Sequence, residues 1–257
     1  MNDKSNRAPQ SLRPALCAFP LFPSIAQAVE AMLARIADAT KRHCNLVIFP
    51  EACLTGLELS WNPGCDLPRG LALDSPELNR LREAAKEGDL HIAFGWIERD
   101  GDHLFDSALL IDNHGRDALH YRRVSSGWRD PGVDTGVYRC GESAPVVRTA
   151  FGETAFLLCG DLFDDSVVAP VRARRPDLLL YPFARGISGE QAQQDWTERE
   201  LPDYLDMWSV TAGTTLAANC VDSESGYHGG AYIARDGDIL GLLPLGQPGL
   251  LTLNREV

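Results

Sequence analysis

The chain has 257 residues, of which 44% are hydrophobic and 23% charged, so it is long and apolar enough to bury a large core. Its formal net charge of −12 argues against a nucleic-acid partner and against an anionic membrane surface, because both need a basic face. The polar N-terminus precedes no uninterrupted apolar stretch, and no run reaches the roughly 18 residues of a membrane span. We therefore expect a cytoplasmic protein.

Cysteine and histidine spacing gives no sign of a disulfide framework or a metal site. The seven cysteines are scattered, their number is odd, and none forms a CxxC pair. The six histidines also lack the spacing of metal ligands. The sequence predicts neither a metal nor an organic cofactor, and most of the cysteines are expected to be small buried hydrophobic residues.

The first half of the chain alternates strands with helices and then becomes rich in strands. Ser24 and Ser75 are suitable N-caps for the two helices, and Gly88 is expected just beyond the second. The predicted strands are 15–19, 45–49, 91–98, 104–112 and 116–124, and the predicted helices are 24–42 and 75–86.

The second half opens with a long loop, 125–141, that is rich in Gly, Asp and Trp. Further strands are predicted at 146–149, 154–159, 177–181, 214–219, 230–234, 239–243 and 249–253, with helices at 165–173 and 191–211. Pro202 should interrupt the last helix. The mixture predicts one α/β domain over 1–257, a sandwich of sheets with helices outside, preceded by a flexible tail over 1–11.

The thiol of Cys159 is the first candidate for chemistry. An apolar run ends at this residue, and Gly160 and Asp161 follow it. A thiol at the end of a buried strand can lean out of the sheet, and the N–H of Gly160 can then face a developing oxyanion.

Two further candidates also lie at predicted strand ends. Glu51 follows a buried strand and Pro50, where ligand sites of α/β sheets gather, although an exposed loop glutamate is the alternative. Arg122 and Arg123 are adjacent on a strand and so point to opposite faces, which lets one face inward. A solvated arginine pair is the alternative there.

These pieces, in this order, resemble the nitrilase superfamily of carbon–nitrogen hydrolases over about residues 12 to 253. The matching segments are Phe49-Pro-Glu51, Asp112-Asn-His-Gly115, His120-Tyr-Arg-Arg123, Leu158-Cys-Gly-Asp161, Arg175-Pro-Asp-Leu-Leu-Leu-Tyr-Pro182, Ala218-Asn219 and Gly229-Gly-Ala-Tyr-Ile-Ala-Arg-Asp-Gly237. The resemblance implies a four-layer αββα sandwich, a homodimer or higher homo-oligomer, and a small-molecule amide or carbamoyl substrate.

The resemblance also implies a catalytic set. By position, Cys159 is the nucleophile, Glu51 the base, and Asp134 the second acid, where the family usually has Glu. Arg123 stands at the family's lysine position, and Gly160 supplies an oxyanion-binding N–H.

The arginine is a departure that leaves alternatives open. Arg123 supplies positive charge, but it does not deprotonate and can lock Glu51 in a bidentate pair. One interpretation is a thiol hydrolase of amide, ω-amide or N-carbamoyl bonds that passes through a Cys159 thioester. The second is a catalytically silent family member that binds a small molecule or a partner. The third is an unrelated α/β enzyme in which Cys159 is structural.

The substrate pocket is predicted from large or charged side chains near these motifs. An amide substrate is favoured over a nitrile by the resemblance. Arg185 suits a carboxylate-bearing substrate, with a surface salt bridge as the alternative, and the aromatic residues can equally serve to pack the loop. The candidates are Trp61, Trp128, Tyr138, Phe163 and Arg185.

Overall fold

A computed structural model of the chain describes residues 9–186, 191–222, 226–253 and 256–257. Its strands are β1 (Pro14–Pro20), β2 (Leu46–Ile48), β3 (His91–Asp100), β4 (His103–Ile111), β5 (Asp117–Arg122), β6 (Val147–Thr149), β7 (Gly152–Phe156), β8 (Leu178–Phe183), β9 (Thr214–Asp222), β10 (Tyr227–Arg235), β11 (Asp238–Leu245) and β12 (Gly249–Thr252). Its helices are α1 (Ile25–Lys41), α2 (Pro63–Asp66), α3 (Pro76–Gly88), α4 (Asp165–Arg174), α5 (Ala192–Asp195) and α6 (Leu201–Thr211). Each predicted strand and helix has a counterpart here.

The strands form two half-sheets that meet at β1 and β9. One continuous order runs β5-β4-β3-β2-β1-β9-β8-β7-β6. The central strands are parallel, whereas β3, β4 and β5 pair as antiparallel hairpins. Among the strands that the structure describes, the two halves pair at the end of β1, where Phe19 and Pro20 lie beside Cys220 and Val221 of β9. Such a short junction lets the halves turn face to face.

Three apolar clusters separate four layers of the structure. The cluster between the half-sheets includes Leu16, Ile48, Ala108, Phe156, Leu180 and Leu216. A second cluster lies between the first half-sheet and helices α1 and α3, and a third lies between the second half-sheet and helices α4 and α6. The predicted four-layer αββα sandwich is therefore confirmed.

The outer helices follow from their apolar spacing and caps. Ser24 caps α1 by accepting from the Gln27 N–H, and the helix buries Val29, Met32 and Ile36. The predicted end of α3, at residue 86, is two residues early, because Gly88 is still helical and Asp89 takes the left-handed cap position with φ 49°.

Pro202 does not break the last helical segment. A single π-turn, Trp196–Glu200, joins α5 to α6, and Pro202 is the second residue of α6, where its missing N–H costs little. The segment buries Trp196, Tyr204 and Trp208 against the sheet.

Two further expectations concern the N-terminal tail and the absence of a membrane-spanning segment. Residues 1–8 of the expected N-terminal tail lie outside the described residues, whereas the Gln10 N–H donates to the Ala150 carbonyl at 2.7 Å. Among the described residues, no helix has both the length and the apolarity that crossing a membrane requires.

The two adjacent arginines at the end of β5 project to opposite faces. Arg122 points outward, donates to Glu98 at 2.6 Å and to Asp100 at 2.8 Å, and covers the Phe105 ring at 3.9 Å. Burial by itself raises the pKa of Glu98, but hydrogen bonds from His120, Arg122 and Ser107 outweigh it and hold the pKa at about 2.

We expect Glu98→Gln to lower the free energy of unfolding by about 3 kcal/mol at pH 7, since this is the size that such a pKa depression represents. The ionised Glu98 stabilises the fold above its unfolded pKa near 4.5, and this contribution is lost as the pH falls toward about 2. Chemical denaturation at several pH values measures the difference. Asp100→Asn, which changes the exposed partner of Arg122, is the matched control and should alter stability little. A penalty for Glu98→Gln that stays constant down to pH 2 would contradict the assignment.

Candidate active site

Cys159 lies in a tight turn that follows strand β7. Strand β7 ends at Phe156, earlier than the predicted 159, and Cys159 opens a 3₁₀ turn that runs to Phe163. Its φ of 43° lies in the left-handed region, which side chains other than glycine adopt at a cost. The Tyr181 hydroxyl donates to the Cys159 carbonyl at 2.6 Å. This bond helps to hold Cys159 in its strained backbone conformation.

The fully buried carboxylate of Asp161 fixes the same turn. It accepts hydrogen bonds from the Leu158 N–H at 3.0 Å, the Ser125 N–H at 2.8 Å and the Tyr121 hydroxyl at 2.5 Å. Burial and the neighbouring Asp161 raise the pKa of Tyr121 well above its usual range, so its proton stays in this bond. Asp161 thereby ties the Cys159 turn to strand β5, a role that the sequence pattern alone does not reveal.

Glu51 is buried in the turn after β2, which excludes the exposed-loop alternative. Only 1% of the residue is exposed, and its carbonyl accepts from the Cys220 thiol at 3.4 Å. The turn passes so close to Gly95 that a Cβ there would lie 2.6 Å from the Ala52 nitrogen. Glycine in β3 therefore lets the Glu51 turn settle against the sheet.

Arg123 faces inward and pairs with Glu51, which excludes a solvated arginine. Its Nη1 donates to Glu51 Oε1 at 2.7 Å, and its Nε donates to Ser125 Oγ at 3.0 Å. Its Nη2 lies against Gly160, where an added Cβ would be 2.5 Å away. Burial opposes the charge, but Glu51 and Cys159 outweigh it and raise the pKa of Arg123 further. A permanent cation therefore lies beside the Cys159 turn.

The Cys159 thiol is protonated at neutral pH. Burial first, and then the charge of Glu51, raise its pKa to about 12, although Arg123 and the Ala184 N–H act in the opposite direction. The residue itself keeps partial exposure, so it is not sealed by packing. A thiol of this kind needs a base that removes its proton as it attacks.

A second buried carboxylate lies against Arg123, and it is Asp106. Arg123 Nη1 is 3.4 Å from Asp106 Oδ2, and the Asp106 side chain is fully buried. Asp134, by contrast, lies exposed in the loop, where its Oδ1 accepts from the Gly136 N–H at 2.8 Å. The structure thus brings Asp106, rather than Asp134, together with Glu51 and Arg123.

Three of the predicted pocket residues pack together beside the Glu51 turn. The Trp61 ring lies 6.4 Å from that of Trp128 and 5.3 Å from that of Tyr138. The Tyr138 hydroxyl donates to Asp66 at 2.7 Å. Ala52, the neighbour of Glu51, belongs to the same apolar cluster. These aromatic residues therefore pack as a wall bordering the site.

The other two predicted pocket residues follow Cys159 in the chain. Phe163 is 51% exposed, and its ring lies 4.9 Å from that of Tyr204. Arg185 makes a bidentate pair with Glu200, with both bonds at 2.8 Å, and its charge interacts with Cys159. Asn219 holds the Arg185 backbone by accepting from its N–H at 2.8 Å. Arg185 is thus both salt-bridged and within electrostatic range of the thiol.

A separate cleft of about 1090 Å³ opens beside Arg122, on the face of β5 opposite Arg123. Its lining includes Glu98 and His120, but it contains neither Glu51 nor Cys159. Both carboxylate oxygens of Glu98 accept hydrogen bonds within the protein. The cleft is therefore lined by charged groups that satisfy one another, and the reactive groups lie elsewhere.

Known proteins resemble this chain in both sequence and fold. The family model for carbon–nitrogen hydrolases matches residues 15–253. A cyanide hydratase from Armillaria gallica is 27% identical over 162 residues, which cover 56% of this chain and 43% of the relative. A formamidase from Pseudomonas syringae pv. tomato is 32% identical over 157 residues, covering 60% and 44%. The matched segments therefore span less than half of these relatives' lengths.

Solved structures share the fold over nearly the whole chain. An amidase from Nesterenkonia sp. superposes with a TM-score of 0.78 at 22% identity, covering 98% of this chain and 92% of its own. A glutamate-to-glutamine variant of that amidase, with acrylamide added to its active-site cysteine, gives 0.77 at 22% identity, covering 95% and 93%. Since the family model spans almost all of the described strands and helices, the chain belongs to the carbon–nitrogen hydrolase family.

Proposed function

We propose that this protein is a thiol-dependent hydrolase of non-peptide carbon–nitrogen bonds in small amides, ω-amides or N-carbamoyl compounds. The observation that carries the proposal is the buried Arg123–Glu51 pair, whose guanidinium lies against Gly160, next to Cys159. The carboxylate, the guanidinium and the thiol follow three separate strands, and the charges of Glu51 and Arg123 both act on the Cys159 thiol. A structural cysteine has no need of such neighbours.

The chemistry begins with attack of Cys159 sulfur on the carbonyl carbon while the thiol proton passes to Glu51. Negative charge then grows on the carbonyl oxygen, where the Gly160 N–H and Arg123 stabilise it. Glu51 returns the proton to the leaving nitrogen, and ammonia or an amine departs. Water then hydrolyses the thioester, giving a proton to Glu51, which passes it back to the sulfur.

The contacts of Glu51 favour an active site over a catalytically silent protein. Arg123 Nη1 donates a hydrogen bond to Glu51 Oε1 alone. The other oxygen, Glu51 Oε2, is buried and receives no hydrogen bond from a conventional donor. The bidentate lock that the sequence allows is therefore absent between these two described residues. A carboxylate with one oxygen outside the ion pair retains a site for a proton.

An amide fits this site better than a nitrile. Arg123 is permanently protonated, which suits the negative charge of a tetrahedral carbonyl adduct. The structural neighbours named above are amidases, whereas the curated relatives include a cyanide hydratase and a formamidase. The Arg185 guanidinium is already paired with Glu200 through two hydrogen bonds, which favours the salt-bridge alternative over a carboxylate-bearing substrate.

We expect ammonia release from a panel of short amides, ω-amides, N-carbamoyl compounds and nitriles to identify an amide or carbamoyl substrate. Cys159→Ala should lower kcat/KM by at least about 10³-fold, and Glu51→Gln by about 10²–10⁴-fold. Cys65→Ser, at an exposed cysteine, is the matched control and should leave the rate unchanged. Turnover that survives Cys159→Ala, or no turnover with any compound in the panel, would count against the proposal.

Arg123→Lys is expected to lower kcat/KM by about 10²–10³-fold, because one ammonium cannot reach Glu51, Ser125 and the Gly160 turn together. Steady-state kinetics on the identified substrate measures the change. Arg122→Lys, on the opposite face of β5, is the control and should keep the wild-type rate. A faster Arg123→Lys enzyme would instead mark the arginine as a degraded lysine.

Alkylation should report the state of the thiol. With a pKa of about 12, Cys159 should react slowly with iodoacetamide at pH 7, and its rate should rise about tenfold per pH unit through pH 9. Mass spectrometry of labelled peptides follows each cysteine, with exposed Cys65 as an internal control that reacts sooner. A Cys159 rate that has already reached a plateau at pH 7 would reveal a preformed thiolate and rule out this activation mode.

A further inference from the structure

The catalytic groups described above leave one buried acid unused, and it is Asp106. It lies on β4, and its side chain is fully buried. Four charged or titratable groups interact with it. Glu51 lies in the turn after β2 and Arg123 at the end of β5, and the other two, Cys159 and Asp161, lie in the turn that begins at Cys159. Asp106 therefore lies where the three parts of the site meet.

One guanidinium cannot neutralise two buried carboxylates. Arg123 Nη1 is 2.7 Å from Glu51 Oε1 and 3.4 Å from Asp106 Oδ2, so both acids share a single cation. With both ionised, the cluster carries a net charge of −1 in a region almost without solvent, which is costly. With one proton between the two acids, the cluster is neutral.

The unpaired oxygens of the two acids also indicate a shared proton. Glu51 Oε2 and Asp106 Oδ1 are both buried, and neither receives a hydrogen bond from a conventional donor. The two carboxyl groups are also close enough to hydrogen-bond with each other, which needs a proton on one of them. A carboxylic acid beside a carboxylate satisfies both groups without any additional donor.

We propose that Asp106 is a neutral carboxylic acid in the folded protein and that it positions Glu51 by donating its O–H to the Glu51 carboxylate. Asp106 is a positioning residue, because it acts on the thiol through Glu51 and Arg123. Because a neutral Asp106 does not compete for the guanidinium charge, Arg123 pairs with Glu51 and stays beside the Gly160 turn. Burial and the charge of Glu51 both raise the pKa of Asp106, in agreement with this protonation state.

The proton makes a prediction about stability that does not depend on activity. The folded wild type retains one proton more than the folded Asp106→Asn variant, whereas the unfolded chains hold none at this position above pH 5. The wild-type folding equilibrium constant should therefore fall about tenfold per pH unit relative to Asp106→Asn between pH 5 and 8. Denaturation of both full-length proteins across this range measures the difference between their folding equilibrium constants. If the ratio of the two folding equilibrium constants does not change with pH, Asp106 is ionised in the folded protein and the proposal is overturned.

The catalytic part of the inference rests on the proposed function. Asn is close in size to Asp and retains an N–H donor, so Asp106→Asn should keep kcat/KM within about tenfold of wild type. Asp106→Ala loses the donor and should lower kcat/KM by about 10²-fold or more with little change in KM. Equal losses in the two variants would show that the Asp106 charge matters, and would overturn the positioning role. If no compound is turned over even by wild type, the proposed function fails, while the stability comparison still decides the protonation state.

Discussion

The buried ion pair between Arg123 and Glu51 is the constraint on which the rest of the site depends. Removing two charged groups from water costs on the order of several kcal/mol per ion. The pair is therefore stable only if other groups form hydrogen bonds or ion pairs with its remaining donors and acceptors. Ser125 and Asp106 meet the guanidinium on one side, and the Gly160 turn meets it on another. The pair is thus the centre of a network rather than an isolated contact.

The network imposes close approaches on the surrounding backbone. Gly95 admits the Glu51 turn, and Gly160 admits the Arg123 guanidinium, each at distances that a side chain would block. Cys159 accepts a left-handed backbone, which Asp161 and Tyr181 hold by hydrogen bonds to its turn. Turns at strand ends of both half-sheets therefore hold Glu51, Arg123 and Cys159 near one another.

The sequence predicts the layers and the three central residues because their signals are local. Apolar periodicity identifies the strands and outer helices, and Glu51, Arg123 and Cys159 each follow a strand whose end lies at the sheet edge. Asp106 escapes this reasoning, since it lies inside a strand and its partners are distant in sequence. An acid within the otherwise apolar run of β4 is a signal of burial that could have identified it.

Asp134 illustrates the opposite case. Motif position selects it as the second acid, but the exposed carboxylate bonds the N–H two residues ahead, an arrangement typical of a local turn. Spacing along a loop does not fix where a side chain points, because a loop of this length can follow many paths. Strand residues are predicted better, since their alternation fixes the face on which each side chain lies.

The combination of an arginine with two carboxyl groups follows from the need to move a proton without creating uncompensated charge. An arginine does not lose its proton in a protein, so the positive charge beside Cys159 is constant throughout a reaction. Any change in protonation must therefore occur on Glu51, Asp106 or the thiol itself. In the proposed reaction the thiol proton moves to Glu51, and negative charge passes to the sulfur, which interacts with Arg123, and then to the substrate oxygen. If Asp106 stays neutral, as we propose, the net charge of the cluster is zero at every stage, which gives a physical reason for the pairing of Arg123 with Asp106.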